Sequence, residues 1–524
     1  MQSNIAPNCM VVTPHHLATQ SALAVLREGG TAIEAMVSAA ATVAVVYPHM
    51  NSIGGDSFWL IVPPTGEPVV IEGCGPAGSL ATPDFFKDYK NIPFKGPKAA
   101  NTVAGAVGAW EEALKYVSEC GYQRMSLSKL LADAIMYARD GFPVTKSHHD
   151  SLKNIQAEGS VPAEFGRVFI PDGKIPKVGE TFCQKQLAKT LQHLVENGLN
   201  SFYKGELAKL IAEDMESLGM PITKSDLANY APVRKVPLRL LHSHGEIFNI
   251  PLPQGLLSLT ILGILDKLGI DGQHEGQFVH AAVEATLQSF KMRDNYIKEH
   301  MKTDPNSLLS SQNLFKMAKD VNLQHFSGAH PCKGSGDTIW MGIMDNKGFS
   351  VSFIQSIYFQ FGSNMVLPRT GILWHNRGVA FNLEKDHALC IEPGKKPYHT
   401  LNPAAARLRD GRVLVYGTRG GDGQPQTQSA IFHRYVVQGK DAQQAVTEPR
   451  WLYGRTSGPP ETTLKLEGRF NAETINYLKE RGHDIVMLPD YSEHTGQAGL
   501  LIRHPDGNME GAFDVRSNGS AAGF

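Results

Sequence analysis

Cysteine is scarce and scattered in this chain. The six residues, Cys9, Cys74, Cys120, Cys183, Cys332 and Cys390, make no Cys-x-x-Cys pair, which argues against a zinc ribbon or a dithiol centre and leaves reduced thiols. No apolar run reaches membrane-spanning length. Met1 to Asn8 lacks the positive start of a secretory leader, so the expected location is the cytoplasm, with the sequon Asn518-Gly519-Ser520 unmodified. Neither sign of charge dominates: 50 Lys and Arg against 51 Asp and Glu give −1, which offers no basic field to nucleic acid or an anionic membrane. Low-complexity linkers and internal repeats are missing too. His15-His16 and His148-His149-Asp150 lack metal-ligand spacing, so capping or solvated roles and no metal are expected. Gly73-Cys74-Gly75-Pro76-Ala77-Gly78 fits GxGxxG, but proline interrupts it and no clear helix follows at once. No dinucleotide, and no other cofactor, is expected.

What is present centres on Gly334 to Gly348, Gly-Ser-Gly-Asp-Thr-Ile-Trp-Met-Gly-Ile-Met-Asp-Asn-Lys-Gly. A glycine-rich approach meets an alternating strand at Thr338, and Asp345-Asn346-Lys347-Gly348 turns it into a second strand over Phe349 to Ile357. A chain broken before Thr338 would expose a hydroxyl nucleophile and an α-amine on one residue. That amine titrates near about 7.7 to 8.0 against about 10.4 for lysine, so it can act as a base at neutral pH. By itself the pattern also describes a loop entering a strand. Gly417-Thr418-Arg419-Gly420-Gly421-Asp422-Gly423, after the apolar strand Val413 to Tyr416, reads either as a turn or as backbone N–H donors for an oxyanion, each worth about 3 kcal/mol.

From end to end the sequence resembles the γ-glutamyltransferase family of N-terminal-nucleophile hydrolases. The resemblance rests on Met10 to Pro48 followed by Ile53-Gly54-Gly55, on Pro251-Leu252-Pro253-Gln254-Gly255, and on Glu284, Arg293 and Asp294 within His280 to Tyr296. It continues through Asp337-Thr338, Gln355-Ser356, Phe361-Gly362, Gly371-Ile372-Leu373, Gly420-Gly421 and the terminal Gly511 to Arg516. It implies an α/β, four-layer αββα sandwich with a helix-rich N-terminal part, and self-cleavage between Asp337 and Thr338. Residues 1–337 and 338–524 would then be two interlocked subunits of one core, and family precedent adds a dimer of cleaved protomers. Thr338 would be the nucleophile, Ser356 the hydroxyl beside it, and Gly420 and Gly421 the oxyanion glycines; Tyr358 falls at a substrate-binding position.

The departures from the glutamyl enzymes bear on substrate. Gly73-Cys74-Gly75 stands where the family has an arginine for the α-carboxylate, with Cys74 read as a small buried filler. Ala380 stands where it has an acid for the α-amine, and His399-Thr400 replaces a di-serine. A pocket that loses its acid and holds Arg377 suits an acyl group with a carboxylate and no amine; Arg419 is a second candidate cation, and either arginine can equally be an ordinary ion pair. His399 is a candidate substrate donor or a structural histidine. Asp-Thr-Ile-Trp, Gln-Ser-Ile-Tyr and Tyr-His-Thr-Leu-Asn-Pro are similar to a cytoplasmic branch of the family that hydrolyses oxamate in purine-nitrogen breakdown. The expected partner is therefore a small-molecule substrate, oxamate first. Glutamyl or dicarboxylate-monoamide hydrolysis with acyl transfer is the same-fold alternative, and an uncleaved, non-catalytic homologue is another.

The coarse pattern agrees with an α/β sandwich. His16 to Glu28 reads as a helix closed by Gly29-Gly30, and Thr31 to Glu34 as a capping box opening a helix that is apolar nearly all round through Ala35 to Val46. Strands follow at Phe58 to Val62 and Val69 to Glu72. A helix-rich stretch covers roughly Val107 to Ile297, with helices near Leu127 to Ala138, Gln184 to Glu196, Gly205 to Leu218 and Leu256 to Leu268. Beyond Thr338 strands dominate, with helices near Gln428 to Val437 and Asn471 to Arg481, and Gln324 to Gly336 reads as a mobile approach to the cut. With 42% hydrophobic residues the chain can bury a large core in one elaborate domain or two intimate ones.

Overall fold

A computed structural model of the chain describes residues 2–159, 161–328, 336–454 and 461–524, with Asp337 described in its backbone alone. Cys332, Gly334 and Ser335, and with them most of the expected mobile approach, lie outside the described residues.

Two seven-stranded antiparallel sheets form the centre. Their strands are β1 (Asn4–Ala6), β2 (Cys9–Thr13), β3 (Asp56–Val62), β4 (Val69–Gly73), β5 (Val233–Lys235), β6 (Leu238–His242), β7 (Gly245–Asn249), β8 (Asp337–Asp345), β9 (Ser350–Tyr358), β10 (Ala404–Leu408), β11 (Val413–Thr418), β12 (Ala498–Arg503), β13 (Met509–Phe513) and β14 (Ser520–Gly523). One sheet runs β14-β2-β8-β9-β3-β4-β5 and the other β1-β13-β12-β11-β10-β7-β6. Three hydrophobic cores separate four layers. Period-two alternation sends Trp59 and Ile61 of β3 and Ile339, Met341 and Ile343 of β8 into a core under one helical layer. Their neighbours Phe58, Leu60, Trp340 and Met344 enter the core between the sheets. The third core lies between the second sheet and the other helices. This is the expected helix–sheet–sheet–helix sandwich.

The sheets close tightly over Trp340. Its indole donates to Ser352 Oγ at 3.0 Å, and a Cβ on Gly417 or Gly499 of the facing sheet would stand 2.2 or 2.3 Å from its ring. Any side chain there would push the layers apart.

Local signals held where they were strongest. Helix α1 (His16–Arg27) is followed by α2 (Ala32–Val46), whose Thr31 hydroxyl accepts from Glu34 N while Glu34 accepts from Thr31 N at 2.8 Å. Every residue of α2 is buried, as its all-round apolar surface requires. Two helices, Leu127–Leu130 and Ala132–Asp140, replace the single expected one. The helix expected from Gln428 instead starts at Gly423, as α3 (Gly423–Phe432), directly after the glycine turn. Strands β5, β6 and β7 interrupt the helix-rich stretch, and β6 and β7 complete the second sheet. His148 is fully buried, so a solvated role fails there; His15 does cap α1, accepting from Leu17 N, yet is buried as well. Stacking of His148 on His49 and edge contact with Phe182 make the burial an aromatic one.

Candidate active site

Thr338 lies at the start of β8, where the ladder slips: Asp337 pairs with Tyr358 but Ile339 pairs with Gln355, leaving Thr338 at the bulge. Its Oγ1 donates to Gln355 O at 2.9 Å, and the side chain is buried. Gln355 is itself fixed. Its amide oxygen accepts from Trp110 Nε1 at 3.1 Å, its amide nitrogen donates to Asn51 Oδ1, and its carbonyl also accepts from Asn51 Nδ2 at 3.1 Å.

Across the same end of the sheet, Ser356 of β9 stands directly opposite Asp56 of β3, so their side chains share a face. Alternation along β3, with Phe58 and Leu60 in the core between the sheets, makes that the inter-sheet face. Cys74, just after β4, reaches the same core. Ser356 Oγ accepts from Tyr358 N at 2.8 Å, and Tyr358 takes a left-handed φ of 79°, a conformation that costs a bulky residue about 1–3 kcal/mol and clusters at functional sites.

The facing sheet supplies the loops. After β11 come Arg419, Gly420 (φ 117°) and Gly421 (φ 49°), then α3. Gln254 Nε2 donates to Gly421 O at 3.0 Å, and Arg293 pairs with Asp422 at 2.8 Å. Backbone N–H groups at such a glycine turn ahead of a helix form a ready anion site. Arg419 pairs with Glu493 at 3.0 Å.

Arg377 opens a short 3-10 turn, Arg377–Ala380, and is 1% exposed. Its guanidinium stacks 3.6 Å from the centre of the Tyr358 ring and donates to Tyr398 O and Thr400 Oγ1, both at 3.3 Å. Among the described side chains no carboxylate lies within ion-pair distance of it. Burial lowers its pKa from the ordinary value.

His399 donates from Nε2 to Asp56 Oδ2 at 3.1 Å; its Nδ1 is buried and has no hydrogen-bond partner among the described residues. Burial first, and Arg377 second, bring His399 down to about 4, so it is neutral near pH 7. His375 Nδ1 lies 3.4 Å from the same Asp56 oxygen, and Thr102 Oγ1 lies 3.1 Å from its Nε2; with that hydroxyl donating to Nε2, the ring proton sits on Nδ1, toward Asp56. Burial would raise the Asp56 carboxyl, but the two histidines hold it well below the usual range.

Asp56, Cys74 and His399 have ligand atoms within 4.8 Å of one another, the one such grouping among the described residues. In the grouping as it stands, Asp56 Oδ2 accepts from His399 Nε2, and burial, with Asp56 and Glu72 nearby, pushes the Cys74 thiol well up.

The structure thus brings Thr338, Ser356 and Tyr358 together on two adjacent strands, and Tyr358, Arg377 and Thr400 together by contact. It joins His399 to them through Asp56 and binds Arg419 to Glu493 instead. Asp56 and His375 escaped the sequence reading, although Asp56 follows Gly54-Gly55 directly and His375 lies two residues before Arg377.

The gamma-glutamyltranspeptidase family model matches residues 18–524. The chain belongs to the gamma-glutamyltranspeptidase family. An oxamate amidohydrolase proenzyme of Klebsiella pneumoniae is 51% identical, with 100% of this chain and 99% of the relative covered. A glutathione hydrolase-like proenzyme of Bacillus subtilis is 37% identical with 100% of each covered. Among solved structures, a cephalosporin acylase from Bacillus halodurans superposes with a TM-score of 0.89 at 30% identity, covering 100% of this chain and 97% of the other. Membership agrees with the sandwich built above and extends over both sheets. Among the described residues, no helix is long and apolar enough to cross a membrane.

Proposed function

We propose that this family member is an autoprocessed amidohydrolase acting on a small linear amide that bears a carboxylate, most specifically oxamate, which it converts to oxalate and ammonia. Cleavage between Asp337 and Thr338 yields interlocked subunits of residues 1–337 and 338–524. The Thr338 hydroxyl attacks the Asp337 carbonyl, the acyl group moves from nitrogen to oxygen, and water removes it. In turnover, Thr338 Oγ1 adds to the substrate carbonyl and its proton passes to the Thr338 α-amine. The N–H groups of Gly420 and Gly421 take the oxyanion, ammonia leaves with the proton, and water hydrolyses the acyl ester. Ser356 assists the nucleophile, and Tyr358, His399 and Thr400 line the acyl pocket.

The observation that carries the substrate class is Arg377: a buried guanidinium, stacked on Tyr358, with no carboxylate partner among the described side chains. A buried cation without a counter-ion is costly, and a substrate carboxylate completes it. Arg419 is the weaker candidate because Glu493 already meets it. Glutathione or glutamine would bring an α-amine, and Ala380 offers it no acid. The name of the 51%-identical relative agrees with this reading. Purine-nitrogen breakdown in the cytoplasm and a dimer of cleaved protomers complete the proposal.

Ammonia release from oxamate, against glutamine and glutathione, tests the substrate. Turnover of oxamate well ahead of both is expected; preference for either glutamyl compound would replace this reading with γ-glutamyl hydrolysis. Denaturing electrophoresis tests the processing, since an uncleaved, inactive chain would point to a non-catalytic homologue.

A further inference from the structure

Arg377 donates to Tyr398 O and Thr400 Oγ1, the residues on either side of His399, and His399 bonds Asp56, so the arginine lies close to a carboxylate with which it makes no ion pair. Asp56 is nevertheless fully claimed: Oδ2 faces His399 Nε2 at 3.1 Å and His375 Nδ1 at 3.4 Å, and Oδ1 accepts from Gly105 N at 3.1 Å. Glu72, the next acid around the pocket, is held by Lys396 and, at 2.6 Å, by Lys235. Both of these acids therefore have donor sets of their own. His375 is anchored from behind, its Nε2 3.1 Å from Thr102 Oγ1; with that hydroxyl as donor the ring proton lies on Nδ1, and the ring cannot turn away from Asp56 without losing the bond.

We propose that His375 and His399 hold the Asp56 carboxylate away from Arg377, so that the arginine is left for the substrate's carboxylate rather than neutralised by the protein's own. Asp56, His375 and His399 are in this sense positioning residues for the specificity of the acyl pocket. The inference rests on the reading of Arg377 as the substrate's cation. Without the two imidazoles, an ionised carboxylate and a guanidinium in the same water-poor pocket attract each other strongly. Asp56 would swing to Arg377 and compete with every anionic acyl group. The arrangement also explains why the pocket carries an acid at all: Asp56 orients two rings whose removal would release it.

A double-mutant cycle on the processed enzyme with oxamate as substrate reads this directly. His375→Phe should raise KM by about tenfold, because Asp56 is then free to pair with Arg377. Asp56→Asn alone should raise KM less than His375→Phe does. The combination Asp56→Asn with His375→Phe should bring KM back to within about threefold of the parent, a rescue that a purely structural role for His375 would not give. Electrophoretic processing and thermal melts check that each variant is folded; should His375→Phe fail to fold, the cycle with His399→Phe and Asp56→Asn gives the same reading. A double variant no better than the single histidine variant overturns the inference. So does one equivalent of zinc in the purified parent enzyme that is lost on Asp56→Asn or Cys74→Ser, since the trio would then be a metal site. Absence of oxamate turnover in the parent enzyme sinks the functional reading and this inference with it, whereas turnover without rescue sinks the inference alone.

Discussion

Two buried charge clusters in this protein are built on opposite rules. Around Arg516 every charge is answered: Arg516 meets Glu467 at 2.6 Å and Asp514 at 3.1 Å, and Arg450 meets Asp514 at 2.7 Å. Burial alone would raise the Asp514 and Glu467 carboxyls, but the two guanidiniums hold both below the usual range. Burial, with Arg516 alongside, pushes Arg450 down to about 10, which leaves it charged at neutral pH. Around Arg377 the acid is held by histidines, and the guanidinium meets no carboxylate among the described side chains. A saturated network anchors a strand; an unsaturated one is the proposed place for a ligand. The difference separates scaffold from site more sharply than burial does, because both clusters are equally dry.

The contrast can be broken at either end. The largest effect should come from Thr338, the proposed nucleophile. Thr338→Ala is expected to remain one 57.2 kDa chain and to lose turnover by about 10⁴-fold or more. Two bands, or residual amidase activity of comparable size, would remove Thr338 from the mechanism. Next is the closed cluster. Arg516→Met leaves Glu467 without its main counter-ion and Asp514 with Arg450 alone, and should cost about 3–5 kcal/mol of stability, seen as a lower melting temperature, with KM of the folded enzyme little changed. A shift in KM without a shift in melting would mean that this network is not scaffold.

Arg377→Ala follows, with a loss of about 2–3 kcal/mol in transition-state binding of carboxylated amides and a smaller loss for an uncharged amide. Equal losses on both would show that Arg377 does not read the carboxylate. The smallest effect concerns buried groups that belong to neither cluster. Burial lowers His148 to about 3 from an ordinary 6.5, and both its nitrogens lack hydrogen-bond partners among the described residues. Its folded pKa is depressed, so the unfolded chain takes up the proton first. The stability it supports is complete above about pH 6.5 and declines toward about pH 3, at about 1.4 kcal/mol per pH unit. His148→Phe should flatten the slope of urea stability between about pH 6 and pH 5 by roughly that amount, and an unchanged slope would show that the imidazole is already charged in the fold.

Much of the fold was readable because it is local. The capping box at Thr31 and Glu34, the buried α2 and the β8–β9 hairpin follow from side chains three residues apart or from strict alternation, and all three are found. Where local pattern misled, tertiary contact was the cause. The helix that starts at Gly423 reads only from Gln428 because a sequence cannot show that Gln254 and Arg293 brace the glycine turn ahead of it. Strands β6 and β7 hid in a helix-rich stretch because it is the facing strand β10 that makes them a sheet. The same division runs through the site. Thr338, Ser356, Gly420 and Gly421 stand in segments whose spacing carries the family resemblance, whereas the Asp56–His399 contact joins residues 343 apart, and nothing in either segment announces the other.

The amino-acid sequence by itself determined the family and the candidate nucleophile with its glycine loop. Each is encoded in short-range pattern, and such pattern survives being read one segment at a time. The tertiary structure decided which charges meet. Ion pairing depends on distance and water exclusion, and these exist only after two sheets have closed on each other; only then does Arg516 find its acids, while Arg377 finds none among the described side chains.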